Sequence, residues 1–362
     1  MTGVSTALLT LVRLGIHRDA EVVSLPSDVD WPSVLALAKE QGVLAIAWDG
    51  YARLYQDGLV PMDMDKGTKR EWVGSLLMMA EQRYPRYRSV IGSLASFYEA
   101  HGIRMMVLKG YGLSLNYPEP SHRPCGDVDI WNYGEYKRAD REMEKELGIE
   151  IDRSHHHHTT FKYKGQFFEN HYDFVNIHSH PSNKAVELRL KELAFKDDEV
   201  IDIDGQRVYL PSPEFNALFL ARHAASHFAA ERMSIRQLLD WGTFVQKYHD
   251  QVDWESLESF VDMVGMMPFY QILNGICVDY LGFQASSFPT GRHPEEKRVI
   301  QDIFSPEFPD TSPDGLFAQW IWRYRRWAHG VWKHRLVYPE SMLRTFFVQV
   351  ASHLMKPKSL KL

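Results

Sequence analysis

Residues 103–130, IRMMVLKGYGLSLNYPEPSHRPCGDVDI, contain the signals from which the core of the fold can be predicted. The apolar run that ends at Leu108 predicts a short buried strand. Lys109-Gly110 follows at once and predicts a turn into a helix, and the turn formers YPEPSHRP predict a loop. Asp127-Val-Asp-Ile then predicts a second short strand. The order is therefore strand, turn, helix, loop and strand.

Downstream of this stretch, the sequence predicts one helix and two hairpins. Residues 135–147 are highly charged, as expected for a helix that faces solvent. Residues 159–178 alternate in a strand-like way around a Lys-Gly turn, and residues 200–210 form a similar pair around an Asp-Gly turn. Together these elements predict an α+β fold, with a small mixed-sheet core over residues 101–210.

Helical patterns occupy both sides of this core. Apolar residues three and four apart predict helices over residues 1–100, with Pro85 as the point where one helix breaks or bends. Helical spacing returns over residues 211–362, apart from a stretch at 283–315 that is rich in Pro, Ser and Asp. That stretch predicts a long surface loop. We therefore expect an N-terminal helical region, the core and a C-terminal helical region.

The composition narrows the classes of protein to consider. The 362 residues carry 41 Lys and Arg against 47 Asp and Glu, a formal net charge of −6. Because proteins that bind duplex DNA non-specifically are usually basic, we expect no duplex DNA partner. Two cysteines, Cys125 and Cys277, cannot build a disulfide framework, and their scarcity fits a reduced, cytoplasmic compartment. No run of about 18 apolar residues occurs, so we expect no membrane span.

Three acidic residues carry the chemistry that the sequence suggests. Asp127 and Asp129 are two apart on a predicted strand, and side chains with that spacing project to the same face. Two adjacent carboxylates repel each other unless a cation lies between them, and Mg²⁺ prefers oxygen ligands of this kind. Glu169 supplies a third acid on a neighbouring predicted strand. Three acids around divalent ions suit in-line displacement at phosphorus.

The turn after the first strand has the composition of a phosphate-binding turn. Gly110 lets backbone N–H groups approach a phosphate, and a following helix would add a favourable dipole. Lys109 can pair with a phosphate as a point charge. Arg123, four residues before the first acid, is a second candidate for phosphate binding.

The order of these elements resembles the uncharacterised nucleotidyltransferase family of the polymerase-beta-like superfamily. The matching elements are Leu108-Lys109-Gly110, Tyr117, Arg123, Asp127-Val128-Asp129-Ile130 and Glu169-Asn170-His171, with further similarity near Trp31 and across Leu218–Trp241, which includes His223, His227, Arg236 and Asp240. The resemblance implies a core that binds Mg²⁺ or Mn²⁺ through Asp127 and Asp129, with Glu169 as third ligand or base. It also implies an NTP co-substrate, which Lys109, Gly110, Arg123 and His171 would help to bind.

The chain departs from the family pattern at two points, and one assignment has a rival. Gly110 is followed by the bulky Tyr111, where the superfamily usually has a small residue. Asn170 stands where the family usually has leucine. Asp173 is a rival to Glu169 as the third acid because both lie on the same predicted strand face, and we favour Glu169 because it matches the motif.

Histidines form several groups in the sequence. His155–His158 is an internal run that either binds a transition metal or enters a strand as a solvated loop, and we favour the loop. His178 and His180 alternate on a predicted strand and either line the cleft or serve a structural role. His223 and His227 have the helical spacing of a zinc pair, but no Glu follows His223, so we favour ordinary packing.

Residues 320–335 interleave aromatic and basic side chains. Aromatic rings can stack on bases while arginines hold phosphates, so this stretch is a candidate for RNA contact. An amphipathic helix that packs its tryptophans and leaves its arginines at the surface explains the same pattern, and we favour that explanation.

Two functional hypotheses follow from the sequence. The first is a nucleotidyltransferase that moves NMP from an NTP to a hydroxyl-bearing acceptor, such as a sugar, an antibiotic, a tRNA end or a protein side chain. The second is a catalytically degenerate nucleotide-binding or scaffold protein that works through its helical regions, and Tyr111 in the phosphate turn is the reason to keep it.

Overall fold

The computed structural model describes residues 1–21, 25–26, 28–60, 64–230, 232–289, 291–308 and 313–345. Its N-terminal helices are α1 (Gly3–Ile16), α2 (Trp31–Glu40), α3 (Leu44–Gln56), α4 (Lys66–Leu76) and α5 (Tyr84–Ala100). Helix α2 begins where the sequence predicts it, because the Asp30 carboxylate accepts a hydrogen bond from the backbone N–H of Ser33 at 3.2 Å.

Helices α4 and α5 are joined by a π-helical segment, Leu77–Arg83. Pro85 lies two residues after this segment, in the first turn of α5. A proline lacks the backbone N–H that an α-helix interior needs, so the wider turn accommodates the change without ending the helical path. The predicted distortion at Pro85 is confirmed as a change of helix type.

The core combines six strands with short and long helices. Its elements are β1 (Met106–Val107), α6 (Tyr111–Ser114), β2 (Val128–Trp131), α7 (Tyr136–Leu147), β3 (His158–Tyr163), β4 (Gln166–His171), α8 (Asn183–Lys196), β5 (Asp198–Ile203) and β6 (Gln206–Pro211). Within the described residues the strands form one sheet in the order β3-β4-β2-β1-β6-β5. The pairs β2–β4 and β1–β6 are parallel and the others are antiparallel, which confirms the mixed sheet.

The two faces of the sheet pack against different helices. On one face, Val107, Val128 and Ile130 belong to an apolar cluster with residues of α5 and α7. On the other face, Met106 and Trp131 belong to a larger cluster that includes helices from both ends of the chain. The alternation follows from the two-residue period of a strand. Helix α5 therefore packs on the sheet, and the two helical regions share one core; the three-region division remains a prediction.

The C-terminal region is helical over most of its described length. Its helices are α9 (Pro213–Ala230), α10 (Ile235–Tyr248), α11 (Trp254–Met263), α12 (Met267–Asp279), α13 (Glu296–Phe304), α14 (Leu316–His329) and α15 (Val331–Val337). The predicted long loop at 283–315 is wrong in part, because α13 lies inside it. Val299 and Ile300 on α13 are fully buried, so an apolar helix face outweighs the surrounding loop-forming residues.

The structure also corrects the predicted strand that carries His178 and His180. Strand β4 ends at His171, and the chain then passes through turns to α8. The second half of the alternating pattern therefore reflects a polar connection and not a strand. His178 lies in these turns, while His180 is buried and stacks on Tyr338 with ring centroids 3.5 Å apart.

The basic and aromatic stretch at 320–335 falls on α14 and α15. Trp332 packs edge-on against Phe228 with ring centroids 5.5 Å apart, and the guanidinium of Arg298 lies 3.9 Å from a Trp332 ring centroid. Lys333 pairs with the buried Asp302. These contacts agree with the packing explanation, and an RNA contact stays a prediction that we do not favour.

Candidate active site

Two of the predicted acids lie side by side on the sheet. Asp129 on β2 is the register partner of Glu169 on the parallel strand β4. Oxygens of these two carboxylates and a ring nitrogen of His171 lie within 4.8 Å of one another. Asp129 and His171 are buried and Glu169 is partly exposed. Parallel pairing of two short strands therefore brings together residues that are 40 positions apart in the sequence.

Two cationic side chains contact this carboxylate pair. The Lys109 ammonium lies 2.9 Å from Asp129 Oδ1. His171 Nε2 lies 3.1 Å from the same oxygen and 3.4 Å from Glu169 Oε2. The other ring nitrogen of His171, Nδ1, lies 3.2 Å from the backbone carbonyl of Asp173. These contacts orient the imidazole between the two acids.

The pKa shifts follow from this arrangement. Burial alone would raise the pKa of Asp129, but the charge of Lys109 and the hydrogen bond from His171 hold it well below its usual range. The hydrogen bond from His171 also lowers the pKa of Glu169 against the effect of burial. For His171, burial would lower the pKa, but hydrogen bonds to both carboxylates raise it to about 9. In this arrangement the carboxylates and the imidazole therefore stabilise each other's charged forms.

Asp127 lies at the edge of this group. It immediately precedes β2 on the same strand face as Asp129, and it is exposed in the cleft described below. Its carboxylate is not among the atoms that lie within 4.8 Å of one another. Burial, and then the negative charges of Asp129 and Glu169, raise its pKa. The charges of Asp129 and Glu169 therefore affect Asp127, although its carboxylate does not belong to their group of atoms within 4.8 Å.

A cleft opens beside these acids between the sheet and two C-terminal helices. Its lining comprises Lys109, Gly110, Leu113, Arg123, Pro124, Gly126, Asp127, Asp129, Leu220, His223, Ala224, Arg236, Gln237 and Asp240. The core supplies the phosphate-type turn and the acids, whereas α9 and α10 supply the opposite wall. Polar groups from separate elements converge here, as they do in small-molecule binding sites.

The Lys109-Gly110 turn has a backbone that only glycine adopts easily. Gly110 has φ of 58° and ψ of −104°. The helix that follows it, α6, has four residues, so its dipole contributes little, contrary to the sequence expectation. Tyr111 is buried and stacks on Tyr84 with ring centroids 5.8 Å apart. The bulky residue therefore points away from the cleft and does not obstruct the turn.

Arg123 has a different role from the phosphate contact that the sequence suggests. It is buried, and it donates from Nε and Nη2 to the two carboxylate oxygens of Asp240 on α10 at 2.7 and 2.8 Å. Nη1 lies 3.2 Å from the Gly110 carbonyl. Tyr117 donates to Asp240 at 2.8 Å. This buried group, which we call the Arg123–Asp240 pair, ties α10 to the turn.

The remaining predicted residues lie outside the acid cluster. Asp173, the rival third acid, accepts a hydrogen bond from Lys191 on α8 at 2.6 Å. Asn170 lies on the opposite sheet face and donates to Asp140 of α7 at 3.0 Å, so the departure from leucine does not touch the site. His223 lines the cleft, and burial lowers its pKa well below the ordinary value.

Arg236 is a functional candidate whose role the sequence did not indicate. Its position belongs to the resemblance, but a lone arginine on a predicted helix gives no sign of what it faces. In the structure it lines the cleft opposite the acids. Its Nε is buried and has no hydrogen-bond partner among the described residues. A guanidinium in the lining of a cleft can bind an anionic ligand.

The donor set fits a hard divalent cation. Asp127, Asp129 and Glu169 offer carboxylate oxygens on one sheet face, which is the ligand type that Mg²⁺ and Mn²⁺ prefer. These three carboxylates outnumber the two neighbouring basic side chains, Lys109 and His171. Asp127 also lines the cleft.

The fold and the site together define the class of this protein: a nucleotidyltransferase-type core with helical flanks. The chain belongs to the family described as uncharacterised nucleotidyltransferase, whose model matches residues 27–282. A solved structure of an antigenic nucleotidyltransferase-like protein from Paracoccidioides brasiliensis is 17% identical, with a TM-score of 0.32 over 49% of this chain and 87% of that chain. A comparison with curated proteins gave no match.

In the part of the chain that the structure describes, no helix has both the length and the apolar character that crossing a bilayer requires.

Proposed function

We propose that this protein transfers NMP from an NTP to a hydroxyl-bearing acceptor, with Mg²⁺ or Mn²⁺ as cofactor. The observation that carries the proposal is the pairing of Asp129 and Glu169 on adjacent parallel strands, beside the Lys109-Gly110 turn. Membership of the nucleotidyltransferase family supports the same reaction class. The cleft lies next to these groups and is lined by Lys109, Gly110 and Arg236.

In this reaction the acceptor oxygen forms a bond to the α-phosphorus while the bond to the pyrophosphate oxygen breaks. The divalent ion, when bound by Asp127, Asp129 and Glu169, would neutralise phosphate charge and favour deprotonation of the attacking hydroxyl. Glu169 completes this carboxylate set or accepts the proton of the acceptor hydroxyl. Its carboxylate is partly exposed, which suits either role.

Three groups in the cleft would hold the triphosphate. Gly110 leaves space for backbone N–H groups to approach phosphate oxygens, and the Arg123–Asp240 pair keeps the turn in place. Lys109 and Arg236 supply positive charge from opposite walls of the cleft. His171 orients Asp129 and Glu169 through its hydrogen bonds.

The test uses the four common NTPs labelled at the α-phosphate, Mg²⁺, and a panel of sugars, antibiotics, tRNA and proteins. We expect label on at least one acceptor, and Asp127→Asn or Asp129→Asn should lower transfer by at least about 100-fold. Asp173→Asn is the matched control because it removes an acid outside the cluster, and its transfer should stay within about threefold. Absence of NTP binding, together with no effect of Asp127→Asn, would refute the proposal.

A second function, nucleotide binding without transfer, is favoured by one observation. Lys109 and His171 already neutralise Asp129 through direct contacts of 2.9 and 3.1 Å. A site of this kind can hold a nucleotide through its cations even if metal binding is weak. Saturable NTP binding that is independent of Mg²⁺, with no transfer to any acceptor in the panel, would support this alternative.

A further inference from the structure

Histidines gather at the end of the sheet, next to the carboxylate pair. His158 stacks on His155 with ring centroids 4.6 Å apart, and it meets His157 edge-on at 4.4 Å. His171 lies 5.2 Å from His158 and 5.6 Å from His157, again between ring centroids. The run that the sequence suggested as a solvated loop therefore folds its second half onto the site.

Backbone pairing holds these histidines in place. His158 is the register partner of His171 across the antiparallel pair β3–β4. Side chains of directly opposed residues in such a pair have Cβ atoms about 4.5–5.5 Å apart. The carbonyl of His157 accepts hydrogen bonds from the backbone N–H groups of Tyr172 and Asp173 at 3.0 and 3.1 Å. The loop before β3 is thus tied to the chain that follows β4.

Two of these rings contain buried nitrogens that need a partner. Nδ1 of His157 and Nδ1 of His158 are inaccessible to solvent and have no hydrogen-bond partner in the described part of the chain. The nearest carboxylate oxygen recorded for His158 Nδ1, Glu169 Oε2, lies 3.8 Å away, beyond hydrogen-bond distance. Buried polar groups rarely lack a hydrogen-bond partner. Two such nitrogens in one cluster therefore indicate that a ligand can bind there.

The positions of the nitrogens suit a metal ion. One ring nitrogen from each of His157, His158 and His171 lies within 4.8 Å of the other two. Nitrogens bound to a tetrahedral zinc ion are about 3.3 Å apart, because each lies about 2.0–2.1 Å from the metal. Small side-chain rotations would close this difference. Imidazole suits zinc, copper and nickel, whereas Mg²⁺ prefers oxygen ligands.

We propose that His157, His158 and His171 form a binding site for a divalent transition metal of the zinc class, distinct from the carboxylate site for Mg²⁺. His171 contacts Asp129 and Glu169, and it would bind the ion as a neutral imidazole after releasing a ring proton. An ion at the histidine site would therefore lie next to the carboxylate pair. The fourth ligand position is open to water or a substrate group.

The experiment measures metal binding and does not depend on nucleotidyl transfer. The full chain is purified without an added histidine tag, stripped with a chelator and titrated with Zn²⁺ against a chromophoric competitor, in excess Mg²⁺. We expect one tightly bound equivalent of Zn²⁺. The double substitution His157→Gln/His158→Gln should weaken binding by at least about 100-fold, because it removes two of the three ligands.

The matched control is His155→Gln/His156→Gln, which changes the same number of histidines in the same run. Its Zn²⁺ affinity should stay within about threefold of the original chain. Equal losses in the two double variants would show adventitious binding by the run and would overturn the proposal. Failure of the original chain to retain one equivalent in excess Mg²⁺ would also overturn it.

Two further measurements separate this proposal from folding defects and from the proposed function. X-ray absorption at the zinc edge of the unsubstituted chain should show imidazole nitrogens, and a shell of oxygen alone would overturn the site. Asp127→Asn should abolish nucleotidyl transfer but retain Zn²⁺ binding, because Asp127 lies outside the histidine group. If transfer is never detected while Zn²⁺ binds as expected, only the proposed function fails.

Discussion

At the scale of single residues, Arg236 is a basic side chain in the lining of the cleft that we expect to bind an anionic ligand. Its Nε is buried without a hydrogen-bond partner among the described residues, and it faces the acids across the cleft. We expect Arg236→Gln to weaken NTP binding by about 10- to 100-fold, since a hydrogen bond to a charged group contributes about 1.5–3 kcal/mol. Titration calorimetry with an NTP and Mg²⁺ measures the change.

Arg189→Gln on α8 is the control for this experiment. Arg189 is partly exposed and pairs with Glu192 at 3.3 Å, away from the cleft. Its NTP affinity should stay within about threefold of the original. Unchanged affinity in Arg236→Gln would mean that the triphosphate lies elsewhere.

Asp240 is the residue whose loss should cost the most stability. It accepts two hydrogen bonds from the buried Arg123 and a third from Tyr117. Asp240→Asn leaves Arg123 as an uncompensated buried charge, so we expect the free energy of unfolding to fall by about 3–5 kcal/mol. Urea unfolding measures this. Asp250→Asn is the control, because that side chain is 87% exposed, and a similar loss there would contradict the explanation.

At the scale of elements, the turn between β1 and α6 depends on Gly110. A Cβ atom at this position would lie 2.4 Å from the Tyr87 hydroxyl, in addition to requiring φ of 58° from a residue with a side chain. We expect Gly110→Ala to lower the free energy of unfolding by at least about 2 kcal/mol and to weaken NTP binding, because both strain and collision displace the turn. Urea unfolding and calorimetry test the two effects.

Gly134→Ala separates strain from collision. Gly134 has φ of 87°, and a Cβ atom there would meet nothing within 4 Å. It should therefore cost only about 1–2 kcal/mol of backbone strain and leave NTP affinity unchanged. If the two alanine variants behave alike, collision with Tyr87 is not the cause of the Gly110 effect.

The short strands β1 and β2 matter because of what they place on each face. Alternation sends Val128 and Ile130 to the cluster under α5 and α7, while Asp129 faces the C-terminal helices. Parallel pairing with β4 then sets Glu169 beside Asp129. Burial of Val128 and Ile130 on one face of β2 thus fixes the position of Asp129 on the other face, next to Glu169.

At the scale of the whole molecule, the C-terminal segment is joined to the core through His180. His180 stacks on Tyr338, and burial, followed by the charges of Arg222 on α9 and of His334 on α15, lowers its pKa to about 3. Near this stack, the Ser182 hydroxyl donates a hydrogen bond to the Glu340 carboxylate at 3.3 Å. His180 is therefore neutral in the folded protein across the ordinary pH range, whereas it binds a proton near pH 6.5 when the chain is unfolded.

This difference predicts a loss of stability in acid. Below pH 6.5 the unfolded chain binds a proton at His180 that the folded chain rejects until about pH 3, so stability falls as the pH falls through this window. Between pH 7 and 5, His180 alone should lower the free energy of unfolding by about 2 kcal/mol. Urea unfolding of the original chain and of His180→Phe checks this. An identical pH dependence in both would rule out His180 as the source.

Much of the architecture was predictable because its signals are local. The hairpins β3–β4 and β5–β6 follow from Lys-Gly and Asp-Gly turns, and Asp30 caps α2 through a side chain three residues from its partner. The helix inside 283–315 was not predicted because loop-forming residues surround it. Its apolar face is buried by packing on α12, which a local sequence pattern does not reveal.

In the candidate site, too, local features were predictable and contacts between distant segments were not. The sequence alone predicted the α+β order and the candidate acids Asp127, Asp129 and Glu169, since strand periodicity and short motifs need only neighbouring residues. Tertiary structure alone decided that Arg123 is bound by Asp240, 117 residues away, that Arg236 faces the cleft, and that His157 and His158 meet His171. Those contacts join distant segments, and the packing of helices and strands creates them where no local pattern could.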